Sequence, residues 1–290
     1  MERTASGWIN GFIGVAIFAG SLPATRAAVA DFDPIFLTCA RASIAAVLAL
    51  SLLLVLRQPR PSLVHLAPLA LTASGVVVGF PLLSALALRH VTSAHSVVFV
   101  GLLPLCTAIF GVLRGGERPR PVFWMFSICG AALIAGYAAI SSAGGSTEGD
   151  LLMLAAIIVC GMGYAEGARL SRILGGWQVI SWALVLSLPV MLPTALVTLP
   201  ASFEHVGKAG WLGLAYVSVF SMLIGFVFWY RGLAQGGIAA VGQLQLFQPF
   251  MGLALAALLL RETVNWTMLL VTLAAVVCVA GSKKYASRVA

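Results

Sequence analysis

Gln243, Gln245 and Gln248 crowd one apolar stretch of the chain just before Pro249. An amide in hydrocarbon offers both donors and acceptors without carrying charge. That suits recognition of a neutral or zwitterionic molecule better than bond-making chemistry. At about 100° per residue, Gln245 and Gln248 fall about 60° apart on one helix face, and Gln243 points elsewhere. The same amides also serve as hydrogen bonds between helices, so a purely structural role stays open.

Other polar groups inside apolar runs extend the set. Glu166 lies in a long apolar stretch beside Tyr164 and between Gly163 and Gly167. It is either a proton-coupling carboxylate or one half of an ion pair with Arg169 or Arg41. His95 and Ser96 open another apolar run, with no acidic neighbour in the surrounding sequence. His95 is either an interfacial residue or a source of pH dependence. Trp229 and Tyr230 are deep enough either to stack on an apolar substrate or to face lipid. Pro81, one turn before Ser84, together with Pro104 and Pro249, each removes a backbone donor near mid-membrane. The carbonyl one turn earlier then needs another partner: a neighbouring group, water or substrate. The candidate cavity set is therefore Gln245, Gln248, Gln243, Tyr164, Trp229, Tyr230, Ser84, His95 and Ser96. Pro81, Pro104 and Pro249 are the candidate kinks, and Glu166 with Arg41 the candidate proton or ion-pair residues.

Several chemistries lack their residues. There is no Walker A motif to drive transport by ATP hydrolysis. A lipid-modifying enzyme would need a nucleophile with its base, or a metal cluster, at one depth, and no such constellation is present. The five cysteines (Cys39, Cys106, Cys129, Cys160 and Cys278) are isolated in apolar runs, without metal or disulfide spacing. No catalytic role, metal or cofactor is expected. Arg41 is the single mid-segment cation, which disfavours phosphorylated substrates.

The elements that must hold these groups follow from composition. Hydrophobic residues make up 61% of the 290 residues and charged ones only 9%, with a mean hydropathy of +1.04. Soluble domains carry roughly 25% charged residues. The chain reads as an all-α integral membrane protein with the lipid bilayer as solvent. Ten transmembrane helices are expected near Trp8–Val29, Ile35–Leu56, Leu66–Leu88, Ala94–Leu113, Val122–Ile140, Leu151–Leu170, Trp177–Leu199, Trp211–Gly232, Ile238–Leu260 and Trp266–Gly281. Arg3 followed by an apolar run and Pro23-Ala24-Thr25 resembles a cleavable signal. The length of that run, and its counterpart in the second half, favour a retained helix.

The net charge of +8 comes from basic residues scattered over short breaks, not from a cluster, so no nucleic-acid partner is expected. Arg57, Arg60, Arg114, Arg118, Arg120, Arg169, Arg172, Arg231, Lys283, Lys284 and Arg288 fall on one side of the membrane. Asp31, Asp33, Glu148, Asp150, Glu204 with Lys208, and the Arg261-Glu262 pair fall on the other. The positive-inside rule puts both termini in the cytoplasm of a bacterial-type inner membrane.

The chain is also written twice. Pro249 follows Pro104 by 145 residues, and the same offset carries Glu117 to Glu262. Residues 1–145 and 146–290 then form two five-helix units joined at Ser141–Thr147. An odd number of crossings inverts the second unit. These paired segments, with Arg41 in the second helix, resemble the EamA-type repeat of the drug/metabolite transporter superfamily. Within it the chain looks most like YddG-type amino-acid exporters. The resemblance implies a central cavity made by both repeats and efflux of small metabolites. Neutral amino acids or amphipathic metabolites are the expected cargo, moved by alternating access in a monomer. A multidrug carrier and a pore-type channel are the alternatives.

Overall fold

The computed structural model describes residues 2–115, 120–141, 146–236 and 241–285, and the described residues are all helical apart from short connections. The helices are α1 (Glu2–Ala19), α2 (Ser21–Val29), α3 (Pro34–Val55), α4 (Leu63–Ala73), α5 (Phe80–His90), α6 (Ser93–Val100), α7 (Leu103–Gly115) and α8 (Pro121–Ser141). They continue as α9 (Thr147–Leu174), α10 (Gly176–Val197), α11 (Lys208–Ala215), α12 (Gly225–Gly236), α13 (Gln248–Leu260) and α14 (Trp266–Tyr285). Seven continuous stretches among the described residues are long and apolar enough to cross a bilayer; shorter apolar helices run over Leu244–Leu260 and Trp266–Cys278. Large apolar side chains on the outside, such as Val55 at 78% and Val197 at 85% exposed, give the bundle a lipid-compatible surface.

Local chemistry sets where helices begin and stop. The Asp33 carboxylate accepts from the backbone N–H of Ile35 (2.8 Å) and Phe36 (3.3 Å), and Pro34 occupies the first turn of α3 where its missing donor is harmless. Thr92 caps α6 and Ser146 caps α9 in the same way. Gly175, with φ at 93°, turns the chain between α9 and α10 in a conformation that favours glycine.

The irregular segments come in pairs. A π-helical stretch, Ser74–Gly79, joins α4 to α5, and a second, Tyr216–Ile224, joins α11 to α12; their last residues lie 145 positions apart. Each proline break is likewise preceded by tight turns. Gly101 and Leu102 donate to Val98 and Phe99 three residues back, and Gly242–Phe247 is a 3-10 helix. Pro104 and Pro249 are then each the second residue of a new α-helix. The 3-10 stretch, which ends at Phe247, tightens the α-helical spacing expected between Gln245 and Gln248, turning the chain by about 120° instead of about 100° per residue. It also answers the question of the freed carbonyl. Pro249 has no N–H to give Gln245, and the Gln248 N–H donates to that oxygen instead.

The main packing runs between the two halves of the chain. α1 packs on α12, α3 on α10, α5 on α9 and α8 on α14. Small residues let backbones meet at these crossings: Gly75 lies against Gly163, and Gly11 against Gly232.

Candidate functional site

A narrow cavity lies at the centre of the bundle. Phe18, Ser21 and Leu22 come from α1 and α2, Arg41 from α3, Val76, Phe80 and Pro81 from the first π-helical region, and Leu103 from α7. Facing them are Cys160 and Tyr164 from α9, Ser221, Met222 and Phe226 from the second π-helical region, and Gln248 from α13. Several of these are counterparts at the 145-residue offset: Val76 with Ser221, Pro81 with Phe226, and Leu103 with Gln248. The space open to a water-sized sphere is only about 30 Å³, room for one or two waters. A surface groove of about 280 Å³ is larger, but Trp8, Leu244, Leu246, Phe247, Phe250 and Val276 line it, with no charge or amide. The central cavity, not the groove, carries the polar groups.

Arg41 is only 3% exposed, and its Nη2 donates to Ser221 Oγ at 3.3 Å. Ser221 Oγ in turn lies 2.7 Å from Ser21 Oγ. The Arg41 Nε and the Gln248 Oε1 are buried without a hydrogen-bond partner. Beside these polar atoms stands a wall of rings. Phe18 meets Phe226 edge-on at 4.8 Å between centroids, and Tyr164 meets Phe226 at 5.8 Å.

A family model for EamA-like transporters matches the chain twice, over residues 5–140 and 147–282. The chain belongs to the EamA-like transporter family. Among its relatives is a protein of Bacillus subtilis (strain 168), the "Uncharacterized transporter YdeK". It is 65% identical over 286 residues, covering 99% of this chain and 100% of that one. A solved crystal structure superposes with a TM-score of 0.68 at 18% identity, over 99% of this chain and 100% of the other, a likeness of fold.

Within this EamA-like transporter the sequence candidates separate. Gln248, Tyr164, Pro81 and Arg41 line the cavity. Gln245, 2% exposed, is buried one turn away with its Nε2 unpartnered. Trp229 and Tyr230 stand behind the wall and face neither cavity nor lipid. Trp229 packs on Phe18 and Tyr164, and the Tyr230 hydroxyl donates to Gly163 O at 3.4 Å. The Ser84 hydroxyl donates to Pro81 O at 3.2 Å, and Ser96 is fully buried without a partner; neither reaches the cavity. Pro249 is buried at the start of α13, outside the lining. The side chains of Gln243 and Pro104, and all of Glu117 and residues 142–145, lie outside the described residues. Glu166 pairs with Arg169 on its own helix, not with Arg41, because three residues place them on one α-helical face.

His95 requires a correction. It has an acidic partner: its Nε2 lies 2.6 Å from Asp150 Oδ1 on α9, and the Tyr137 hydroxyl sits 3.0 Å from its Nδ1. Both side chains of the pair are 8% exposed. Asp150, drawn as a residue of the break, belongs to the buried first turn of α9. Two residues before His95, Glu262 holds the start of the same helix. Its carboxylate accepts from Ser93 N (3.1 Å), Ser93 Oγ (2.8 Å) and Ala94 N (2.7 Å). A carboxylate on orphan amides at a helix N-terminus is favourable. Glu262→Ala is therefore expected to lower stability by about 1–2 kcal/mol, read as denaturation of the purified protein in detergent. An unchanged transition would mean that water replaces the cap.

Proposed function

We propose that this EamA-like transporter is a secondary carrier exporting neutral, chiefly hydrophobic or aromatic, amino acids and related small metabolites. In this reading it works by alternating access in the inner membrane, as the resemblance to YddG-type exporters implies. Ten crossings form two inverted units, residues 1–145 and 146–290, with both termini cytoplasmic. The observation that carries the reading is the central cavity, walled by both halves through residues 145 positions apart. The packing fits an exchange of halves. The α1–α12 contact becomes α9–α5 when the units are swapped, while α3–α10 and α8–α14 map onto themselves. A cavity too narrow for an amino acid belongs to a closed state, so substrate enters only when the walls part. The π-helical and proline-broken segments supply the wall-forming crossings Leu66–Leu88, Ala94–Leu113, Trp211–Gly232 and Ile238–Leu260 with places to bend.

Proteoliposomes loaded with labelled phenylalanine, leucine or alanine should release label faster than protein-free vesicles, with saturation and counterflow. Saturation separates a carrier from a pore, and preference for amphipathic cations over every amino acid would favour a multidrug carrier. Absence of amino-acid flux across a broad panel would sink the proposal. Gln248→Ala should reduce phenylalanine flux about tenfold, the equivalent of one hydrogen bond of about 1.4 kcal/mol, with expression unchanged. Gln245→Ala should reduce it less, since Gln245 is outside the lining. Equal flux from wild type and Gln248→Ala would remove the amide from the site.

A further inference from the structure

We infer that Arg41 is the anchor for a substrate carboxylate, so that the cavity selects molecules bearing an anionic group beside an apolar or aromatic side chain. This rests on the carrier reading above and names the part of the substrate that the site holds first.

A guanidinium 3% exposed inside a membrane bundle is costly unless its charge and its donors are met. Here neither is. The carboxylates in ion pairs between described residues face other cations: Asp33 faces Arg89, Glu148 faces His90, Asp150 faces His95 and Glu166 faces Arg169. Glu262 and Asp31 are engaged by backbone amides. No described carboxylate pairs with Arg41. Its one hydrogen bond goes to a neutral hydroxyl, Ser221 Oγ, and its Nε has none. Guanidinium donors in a fixed fork fit a carboxylate in bidentate fashion, and that pairing would supply the missing counter-charge and the missing acceptor together.

The rest of the lining matches what a carboxylate of this kind would carry. Gln248 Oε1, buried and unpartnered, offers an acceptor for an ammonium. Phe18, Tyr164 and Phe226 give a ring surface for an apolar side chain. A second cation, which a phosphate dianion would need, is missing from the lining. The charge of Arg41 and that of a zwitterion's carboxylate then cancel in a setting where a lone charge is costly.

The test uses the full-length protein purified in detergent. Its melting temperature is followed with L-phenylalanine, 3-phenylpropionate (carboxylate without ammonium), L-phenylalaninamide (ammonium without carboxylate) and inorganic phosphate. The expected result is a rise with the two carboxylates at concentrations at least tenfold below any rise with the amide. Arg41→Lys should need at least tenfold more ligand, and Arg41→Gln should lose the response. Equal stabilisation by amide and carboxylates, a response to phosphate alone, no response to any probe, or an unchanged response in Arg41→Gln would each overturn the assignment. The wild-type comparison stands even if the variants do not fold. Flux separates the two proposals. Carboxylate-dependent stabilisation without flux sinks the carrier and leaves the anchor. Flux of phenylalanine and phenylalaninamide at equal rates sinks the anchor and leaves the carrier.

Discussion

Replacing Asp150 by alanine is expected to lower the stability of the folded transporter by about 3 kcal/mol or more, the usual cost of removing one partner from a buried, hydrogen-bonded pair. His95 makes the loss large. Both ring nitrogens are engaged, Nε2 with Asp150 and Nδ1 with the Tyr137 hydroxyl, and the imidazole is nearly sealed from water. Without the carboxylate a buried polar nitrogen has no partner, and it pays its desolvation in full. The pair also ties α6 to α9, joining one half of the chain to the other. A double-mutant cycle isolates that tie. His95→Ala with Asp150→Ala should cost less than the two single changes added together, by about 1–3 kcal/mol, measured by reversible denaturation in mixed micelles. Additive costs would mean that each residue is held by its other neighbours and the contact contributes nothing of its own.

The same pair marks the boundary of what could be read from the chain. Properties local to one segment were legible. Pro81, Pro104 and Pro249 predicted interruptions, and each follows an irregular stretch, whereas Pro68, Pro189 and Pro193 sit inside continuous helices. Gly75 and Gly163, which meet at a close crossing, each stand four residues from a second glycine, Gly79 and Gly167, a small-residue spacing visible along the chain. Gln248 and Tyr164 stand on the cavity wall. What depended on which helices are neighbours was not legible. Asp150 lies 55 residues from His95 and Glu262 lies 169 from Ser93, and no local pattern links either pair. Trp229 and Tyr230 were misplaced for a related reason. Depth in a membrane follows from position along a segment, but which way a ring faces follows from the crossing helix, and here α1 and α9 cover both. Arg41 was visible as the lone mid-segment cation. That it has no carboxylate partner among the described residues depends on Glu166 turning to Arg169 on its own helix, which a list of mid-segment charges does not decide.

The doubled scaffold and the undoubled chemistry meet at the same positions. At two of the three paired lining sites one residue is apolar and its counterpart polar: Val76 against Ser221, and Leu103 against Gln248. Arg41 and Ser21 come from the first half, while Gln248 and Ser221 come from the second, so neither half alone holds the polar set. In the carrier reading proposed above, halves that exchange shapes share a backbone while the polar groups stand singly.

That scaffold predicts a sign reversal for one kind of substitution. Gly75→Ala and Gly163→Ala are each expected to destabilise by about 3 kcal/mol, at the upper end of ordinary overpacking costs. A Cβ on Gly75 would stand 2.5 Å from Val159 O and 2.8 Å from Gly163 Cα, and one on Gly163 would stand 2.7 Å from Val76 Cγ1 and 3.1 Å from Gly75 Cα. The obstacles to Gly75 are backbone, which cannot rotate away, and that to Gly163 is a β-branched side chain held on the cavity wall with backbone close behind it. Gly111→Ala and Gly136→Ala add the same methyl to helices where nothing lies within 4 Å. There the change should be neutral or stabilising by up to about 1 kcal/mol, the difference in helix propensity. Denaturation midpoints of the four variants test the contrast directly, and equal shifts in all four would refute the close crossing. Flux should follow the same division. Gly75 adjoins Val76, and Gly163 adjoins Tyr164, both on the cavity wall. Forcing the crossing apart displaces that wall, so the two crossing variants should lose at least tenfold in phenylalanine flux while Gly111→Ala and Gly136→Ala retain it.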